Sequence, residues 1–169
     1  MLKNMFLMMA LALFAGTSVS AQRMATVDIN KILESQQDYL DAQKALDDLA
    51  AKWRREIEVD QDKIKGLYSR YQAEQVLMSD ETRRQKEDEI VESEKRLRDK
   101  QKKKFGPDGE LFQRRQSLVQ PIQERVYGAI EDYANDRGFD FILDRAGNAG
   151  IIFSNDRYDK TDDIIAKLR

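Results

Sequence analysis

Apolar and polar positions alternate from Met24 to Ile29, which reads Met-Ala-Thr-Val-Asp-Ile with Ala25, Val27 and Ile29 on one side, and this predicts a short strand. From Asn30, a suitable N-cap, the period becomes helical, and no Pro or Gly interrupts it before Gly66. An apolar stripe starts at Leu33 and Leu40 and continues through Leu46, Leu49, Trp53, Ile57, Ile64, Leu67, Tyr71 and Met78. Ile57, Ile64, Tyr71 and Met78 stand on one seven-residue ladder, while a second, Leu46, Trp53, Asp60, Leu67 and Glu74, is broken twice by carboxylates. One helix from Asn30 to about Met78 would be about 70 Å long at 1.5 Å per residue, more than a domain of this size can bury, so it is predicted to project as an arm.

Ser79 supplies the next N-cap, with Asp80 and Glu81 placed to favour a helix N-terminus, so the hairpin tip is expected near residues 77–79. The returning segment, Ser79 to Lys104, offers only Ile90, Val91 and Leu97 as large apolar residues against ten basic and eight acidic ones in 26 positions. Each buried aliphatic side chain contributes about 1.5–3 kcal/mol at most, so this seam is thin and the arm is expected to flex. Phe105-Gly106-Pro107-Asp108-Gly109 interrupts the helix, and Gly106, Pro107 and Gly109 are expected to form an elbow.

Beyond the elbow, Leu118, Ile122, Val126, Ile130 and Tyr133 resume a helical stripe, with Pro121 kinking that helix or opening its last segment and Gly138 ending it. Phe139 to Asp144 alternates, Ala146 to Gly150 offers a turn, and Ile151-Ile152-Phe153 regains β character, which predicts a hairpin. Thr161 is placed to cap a short final helix with Asp162 and Asp163 in its first turn and Ile164, Ile165 and Leu168 inward. The expected fold is α+β but mostly α. Three short strands per chain form a small body from residues 22–34 and 118–169, and an antiparallel helical hairpin arm spans 35–117.

Composition sharpens this picture. Lys3, the apolar run Met5 to Phe14 and the small residues up to Val19-Ser20-Ala21 form a secretory signal peptide, residues 1–21, with cleavage expected after Ala21. Ten apolar residues are too few to span a bilayer. The chain has no Cys, although small exported domains with thin cores commonly depend on disulfides. Three short strands do not make a stable sheet alone either, so oligomerisation is expected to supply the missing burial. The body positions expected to carry it are Val27, Ile29, Phe139, Phe141, Leu143, Ile151 and Phe153.

With no His and no Cys, the commonest general base, imidazole ligand and thiolate nucleophile are all missing. No phosphate-binding Gly-x-x-x-x-Gly-Lys-Ser/Thr loop occurs. Asp60-x-Asp62 ahead of Gly66 fails the spacing of a calcium loop, and Asp162 and Asp163 suit a helix N-terminus better than acid–base work. The sequence therefore assigns no catalytic, cofactor-binding or metal-binding residue and predicts no enzyme. Twenty-nine basic residues against 31 acidic ones disfavour nucleic acid as a partner. Lys102-Lys103-Lys104 with Arg114 and Arg115 reads as a solvated helix face.

Along its mature length the chain resembles the Skp/OmpH family of periplasmic chaperones. The likeness rests on Ala25-Thr26-Val27-Asp28-Ile29-Asn30-Lys31-Ile32-Leu33, on Pro121-Ile122-Gln123, on Gly138 to Asp144 and on Tyr158 to Ile164. It implies a homotrimer whose strands share one body, with three helical arms around a cavity. It also implies a periplasmic holdase that needs no ATP or cofactor and keeps unfolded outer-membrane β-barrel proteins from aggregating. Trp53, Tyr71 and Met78 then either pack between the arm helices, as their heptad spacing favours, or face a client, and Tyr68, off both ladders, is the better client contact. Some members carry strongly basic arms credited with lipid or lipopolysaccharide contact, and a pI near 5.4 argues against that here. A scaffolding coiled-coil protein of the cell envelope is the alternative reading.

Overall fold

The computed structural model describes residues 22–147 and 150–169. The signal peptide expected over 1–21, with its cleavage after Ala21, lies outside the described residues, as does the middle of the turn expected over Ala146 to Gly150. Strand β1 (Met24–Val27) leads into helix α1 (Ile29–Glu34), and helix α2 (Gln37–Glu74) then runs out from the body. A single 3-10 turn (Gln75–Leu77) reverses the chain into α3 (Asp80–Phe105) and α4 (Glu110–Arg137), which return to strand β2 (Phe141–Asp144). A second 3-10 turn (Asp156–Tyr158) precedes the last helix, α5 (Thr161–Lys167).

The strands pair in parallel, Met24 opposite Phe141 through Val27 opposite Asp144. Alternation turns Ala25 and Val27 inward, where both are buried, and leaves Met24 and Phe141 on the outer face. Inside that sheet, α1, α2, α4 and α5 close one apolar core from Val27, Ile32, Leu33, Ala42, Leu46, Val119, Ile122, Val126, Tyr133, Ile164 and Ile165. Because Ala42 and Leu46 belong to it, the core reaches into the first turns of the arm.

Several expectations are corrected. Among the described residues the sheet has two strands, not three: Ile151 to Phe153 makes no ladder, and β2 pairs with β1 rather than forming a hairpin. Three consecutive apolar residues need cover on both sides, and one chain supplies none, leaving Ile152 101% and Phe153 83% exposed. Ile29 opens a helix rather than ending a strand, because Asp28 is the cap: its carboxylate accepts from the Lys31 amide at 2.9 Å. The long helix also breaks once, at Ser35 and Gln36. The Ser35 hydroxyl donates to the Ile32 carbonyl at 2.6 Å, and Gln36 turns extended to start α2. Pro121 does not open a helix; α4 runs through it. Gly138 ends α4 as expected, at φ 64°, a conformation that favours glycine.

Thr161 is the first residue of α5 rather than its cap, and its side chain has another task. Buried at 2% exposure, it accepts from the Asp28 amide at 2.9 Å and donates to the Asp159 carboxylate. Asp159 also accepts from Arg145 at 2.6 Å. Burial pushes the Asp159 carboxyl up, but the bonds from Thr161 and the Arg145 charge outweigh it and hold the group below its ordinary range. The C-terminal segment is thereby clasped to the junction of β1 and α1. Nearby, burial and the hydrogen bond to Asp163, 2.6 Å, push the Tyr133 hydroxyl up to about 12, and its ring stacks on Phe139 at 6.0 Å.

Thr161→Val keeps the shape and removes the hydroxyl, orphaning the Asp28 amide and one Asp159 bond. It is expected to lower stability by about 1–3 kcal/mol in urea denaturation at fixed protein concentration, while Thr161→Ser recovers most of the loss. A midpoint unchanged in the valine variant would contradict the clasp.

Candidate functional site

The arm is a hairpin of α2 against α3 and the start of α4. At 1.5 Å per residue the 38 residues of α2 span about 57 Å, far beyond the core. Its seam changes character outward. Nearest the body, Trp53, 7% exposed, meets Phe105 edge-on at 6.0 Å between ring centres. The Lys104 ammonium lies 4.4 Å from the same ring and pairs with Glu110, whose carboxyl it holds below the usual range. Ile57 and Ile64 continue the buried stripe on α2.

Asp60, the first of the two carboxylates that break the second ladder, faces Lys100 across the seam at 2.9 Å, with Glu56 at 3.6 Å on the same ammonium. The hydrogen bond shifts both groups toward their charged forms, Asp60 down and Lys100 up. Farther out, two tyrosines bond on either side of the buried Ile90: the Tyr68 hydroxyl donates to Glu94 at 2.9 Å and the Tyr71 hydroxyl to Glu87. Those bonds to carboxylates hold both phenols protonated above their ordinary range. The 3-10 turn at the tip presents Val76 and Leu77, 85% and 89% exposed, just before the Ser79 cap, which accepts from Thr82 at 3.2 Å.

The interruption at 106–109 is a tight turn. Gly109 is buried, and a Cβ there would sit 2.9 Å from the Gly106 nitrogen, while one on Gly106 would run into the Lys102 carbonyl oxygen. The Gly109 amide donates to the Gly106 carbonyl at 2.9 Å, and the Gln113 side chain to the Asp108 carbonyl at 3.1 Å. Unbroken α2 passes beside it. Gly106, Pro107 and Gly109 therefore shape a braced break in one helix of the pair.

Of the residues singled out for client contact, Trp53 lies inside the seam, Tyr71 and Met78 are half-buried, and Tyr68 is 42% exposed. The residues singled out for the oligomeric body divide similarly. Val27 is buried in the chain's own core, with Ile29 and Phe139 packed against it. Phe141 is 49% exposed, and Leu143, Ile151 and Phe153 line a groove of about 510 Å³ outside the sheet with Met24 and Tyr158. The sequence reading gave no contact role to Val76, Leu77 or Met24, and it placed Lys104 on a solvated helix face, whereas that side chain is 19% exposed and set against the Trp53 ring and Glu110. Three apolar residues in a row, Val76-Leu77-Met78, directly before the Ser79 cap were the signal for an apolar tip.

Three comparisons bear on this arrangement. The family model described as outer membrane protein (OmpH-like) matches residues 23–168. A search of curated proteins returns no match. Among solved structures, an OmpH-like protein from Caulobacter crescentus CB15 is similar in fold, with a TM-score of 0.68, 13% identity, and coverage of 90% of this chain and 88% of that one.

Trp53 fastens both returning helices to α2. Trp53→Ala is expected to cost about 3–5 kcal/mol of local stability, read as lost amide-exchange protection from about Lys100 to Gln113, and Trp53→Phe is expected to restore part of it. Unchanged protection in the alanine variant would show that the ring fastens nothing.

Proposed function

The chain belongs to the OmpH-like family of outer membrane proteins, and from that premise we propose that it is a periplasmic holdase chaperone, acting without ATP, that shelters unfolded outer-membrane β-barrel proteins between the arms of a homotrimer. The observation that carries this reading is the arm: a hairpin about 57 Å long that leaves apolar side chains exposed at Tyr68, Val76 and Leu77 among charged ones. Contacts so sparse and separated hold no single sequence tightly. Several arms contacting one flexible chain at many points hold it by multivalency, which tolerates varied clients and allows release.

The body supports a shared core. A two-stranded sheet has too little packed surface to stand alone, and its outer face keeps Met24, Phe141 and the Ile151–Phe153 segment in water. Copies meeting there would bury them together and aim their arms in one direction. Neighbouring Arg157 and Tyr158 give such a contact a polar margin.

Diluting a denatured outer-membrane β-barrel protein into buffer with a stoichiometric excess of this protein and no nucleotide is expected to suppress light-scattering aggregation. Tyr68→Ser, Val76→Ser and Leu77→Ser together are expected to weaken client affinity about tenfold or more, from about 1 kcal/mol per lost apolar contact. Equal aggregation with and without the protein would leave the envelope scaffold as the better reading. Light scattering on the protein at micromolar concentration is expected to give three times the chain mass, and Phe141→Lys to shift it toward monomer; a monomeric mass for the unaltered protein would refute the shared body.

A further inference from the structure

Sulfur is placed sparingly in this chain. There is no Cys, and the methionines among the described residues are Met24 and Met78. Neither belongs to the core, whose members are aliphatic apart from Tyr133. Met24 lies on the outer face of the sheet, 43% exposed, and Met78 stands partly exposed at the arm tip, directly after Val76 and Leu77. Both thioethers are therefore set at the chain's two exposed apolar surfaces.

With thiols absent, a thioether in reach of solvent is the group that peroxides and hypohalous acids attack. Trp53, another oxidisable side chain, is sheltered in the seam. The tip does not need the Met78 side chain to hold its shape. The Met78 amide and the Arg83 guanidinium both donate to the Gln75 carbonyl at 3.4 Å, and the Ser79 hydroxyl accepts from the Thr82 amide at 3.2 Å. Burial on the two arm helices stops at Ile64 and Ile90, so an oxygen added at Met78 disturbs no packed layer.

We infer that Met78 is an oxidation site through which peroxide sets how apolar the arm tip is. The sulfur lone pair takes one oxygen from the peroxide: the S–O bond forms, the O–O bond breaks and the second oxygen leaves as water. Sulfur is thereby oxidised by two electrons and the peroxide reduced. The sulfoxide is polar and accepts hydrogen bonds from water, so the run Val76-Leu77-Met78 loses one of its apolar members. The consequence for clients rests on the chaperone reading: an oxidised tip would hold an unfolded chain less tightly, and a sulfoxide reductase, which regenerates the thioether, would reverse the change.

Hydrogen peroxide added to the full protein, followed by peptide mass spectrometry, is expected to place one oxygen atom on Met78 with helical circular dichroism unchanged. In a Met24→Leu background, oxidation is expected to weaken binding of a denatured outer-membrane β-barrel protein about fivefold, the worth of one apolar contact. Methionine sulfoxide reductase should restore the binding. Met78→Leu, which keeps the volume and loses the sulfur, should make it indifferent to peroxide, and Met78→Gln should weaken it without peroxide. If the Met24→Leu background misfolds, the unaltered protein set against Met78→Leu gives the same comparison. Met78 left unmodified while Met24 or Trp53 is oxidised, helix lost on oxidation, or client affinity unchanged by oxygen on Met78 would overturn the inference. Failure of the untreated protein to hold any client would overturn the chaperone reading, and the mass spectrum and circular dichroism would still decide oxidation at Met78.

Discussion

The parallel pairing of Met24–Val27 with Phe141–Asp144 is the constraint on which the rest of the structure depends. Parallel neighbours cannot be joined by a tight turn, because the chain must cross back to the end at which the first strand began. Here the return takes roughly 110 residues, and closing a coil of that length costs about 4 kcal/mol by chain entropy alone. Four ladder positions do not offset that. The strands meet because the connecting chain is an antiparallel hairpin that brings its own ends together, and because the Thr161–Asp28–Asp159 clasp and the core beneath the sheet fix both roots. Arm and sheet therefore require each other.

From root to tip, the arm's seam trades one kind of interaction for another. Near the body it is aliphatic and aromatic, and burial of Leu46, Trp53 and Ile57 holds the helices together by the hydrophobic effect. In the middle it is ionic, at Asp60 and Lys100, half-exposed groups whose pairing contributes on the order of 1 kcal/mol or less but favours one register, since slippage would break their bond across the seam. Toward the tip one buried aliphatic residue, Ile90, remains, flanked by hydrogen bonds between tyrosines and glutamates. Each step outward lowers the cost of opening, so local stability should decline from root to tip.

How much of this was legible in the sequence follows from what each signal depends on. Ser79 as the cap that opens the returning helix, Gly138 as a stop and the hairpin tip were readable, because caps and glycine stops act within a few residues. The arm was readable too, as a helical stripe longer than any core could cover. The Ser35–Gln36 break was not, since a serine reaching back to a carbonyl one turn away leaves no mark on apolar periodicity. Nor was the parallel partner of β1. Phe139 to Asp144 and Ile151 to Phe153 are separated by a glycine-containing turn, the local signature of a hairpin, and only the distant return of α4 to the body overrides it. The functional residues divided on the same line. Trp53 on its ladder was expected in the seam and lies there, while Val76 and Leu77 escaped notice because a periodicity argument ignores residues that belong to no face.

The body and the arm both leave apolar side chains in water, and the two arrangements differ in the kind of surface that could cover them. On the body, Met24, Phe141, Leu143, Ile151 and Phe153 gather around one face and groove. A contiguous patch can exclude water as a unit against a matching surface, so its burial adds up to lasting association. On the arm, Tyr68 and the Val76–Leu77 pair are set apart among charged and polar neighbours, and no flat partner could cover them without also desolvating those charges. Only a chain able to follow the arm's contour, touching one apolar residue at a time, gains from them without that cost. A folded globule lacks this freedom and an extended, unfolded polypeptide has it, so on the proposed chaperone function the polarity of the arm would turn away folded partners while its apolar residues would take up unfolded ones.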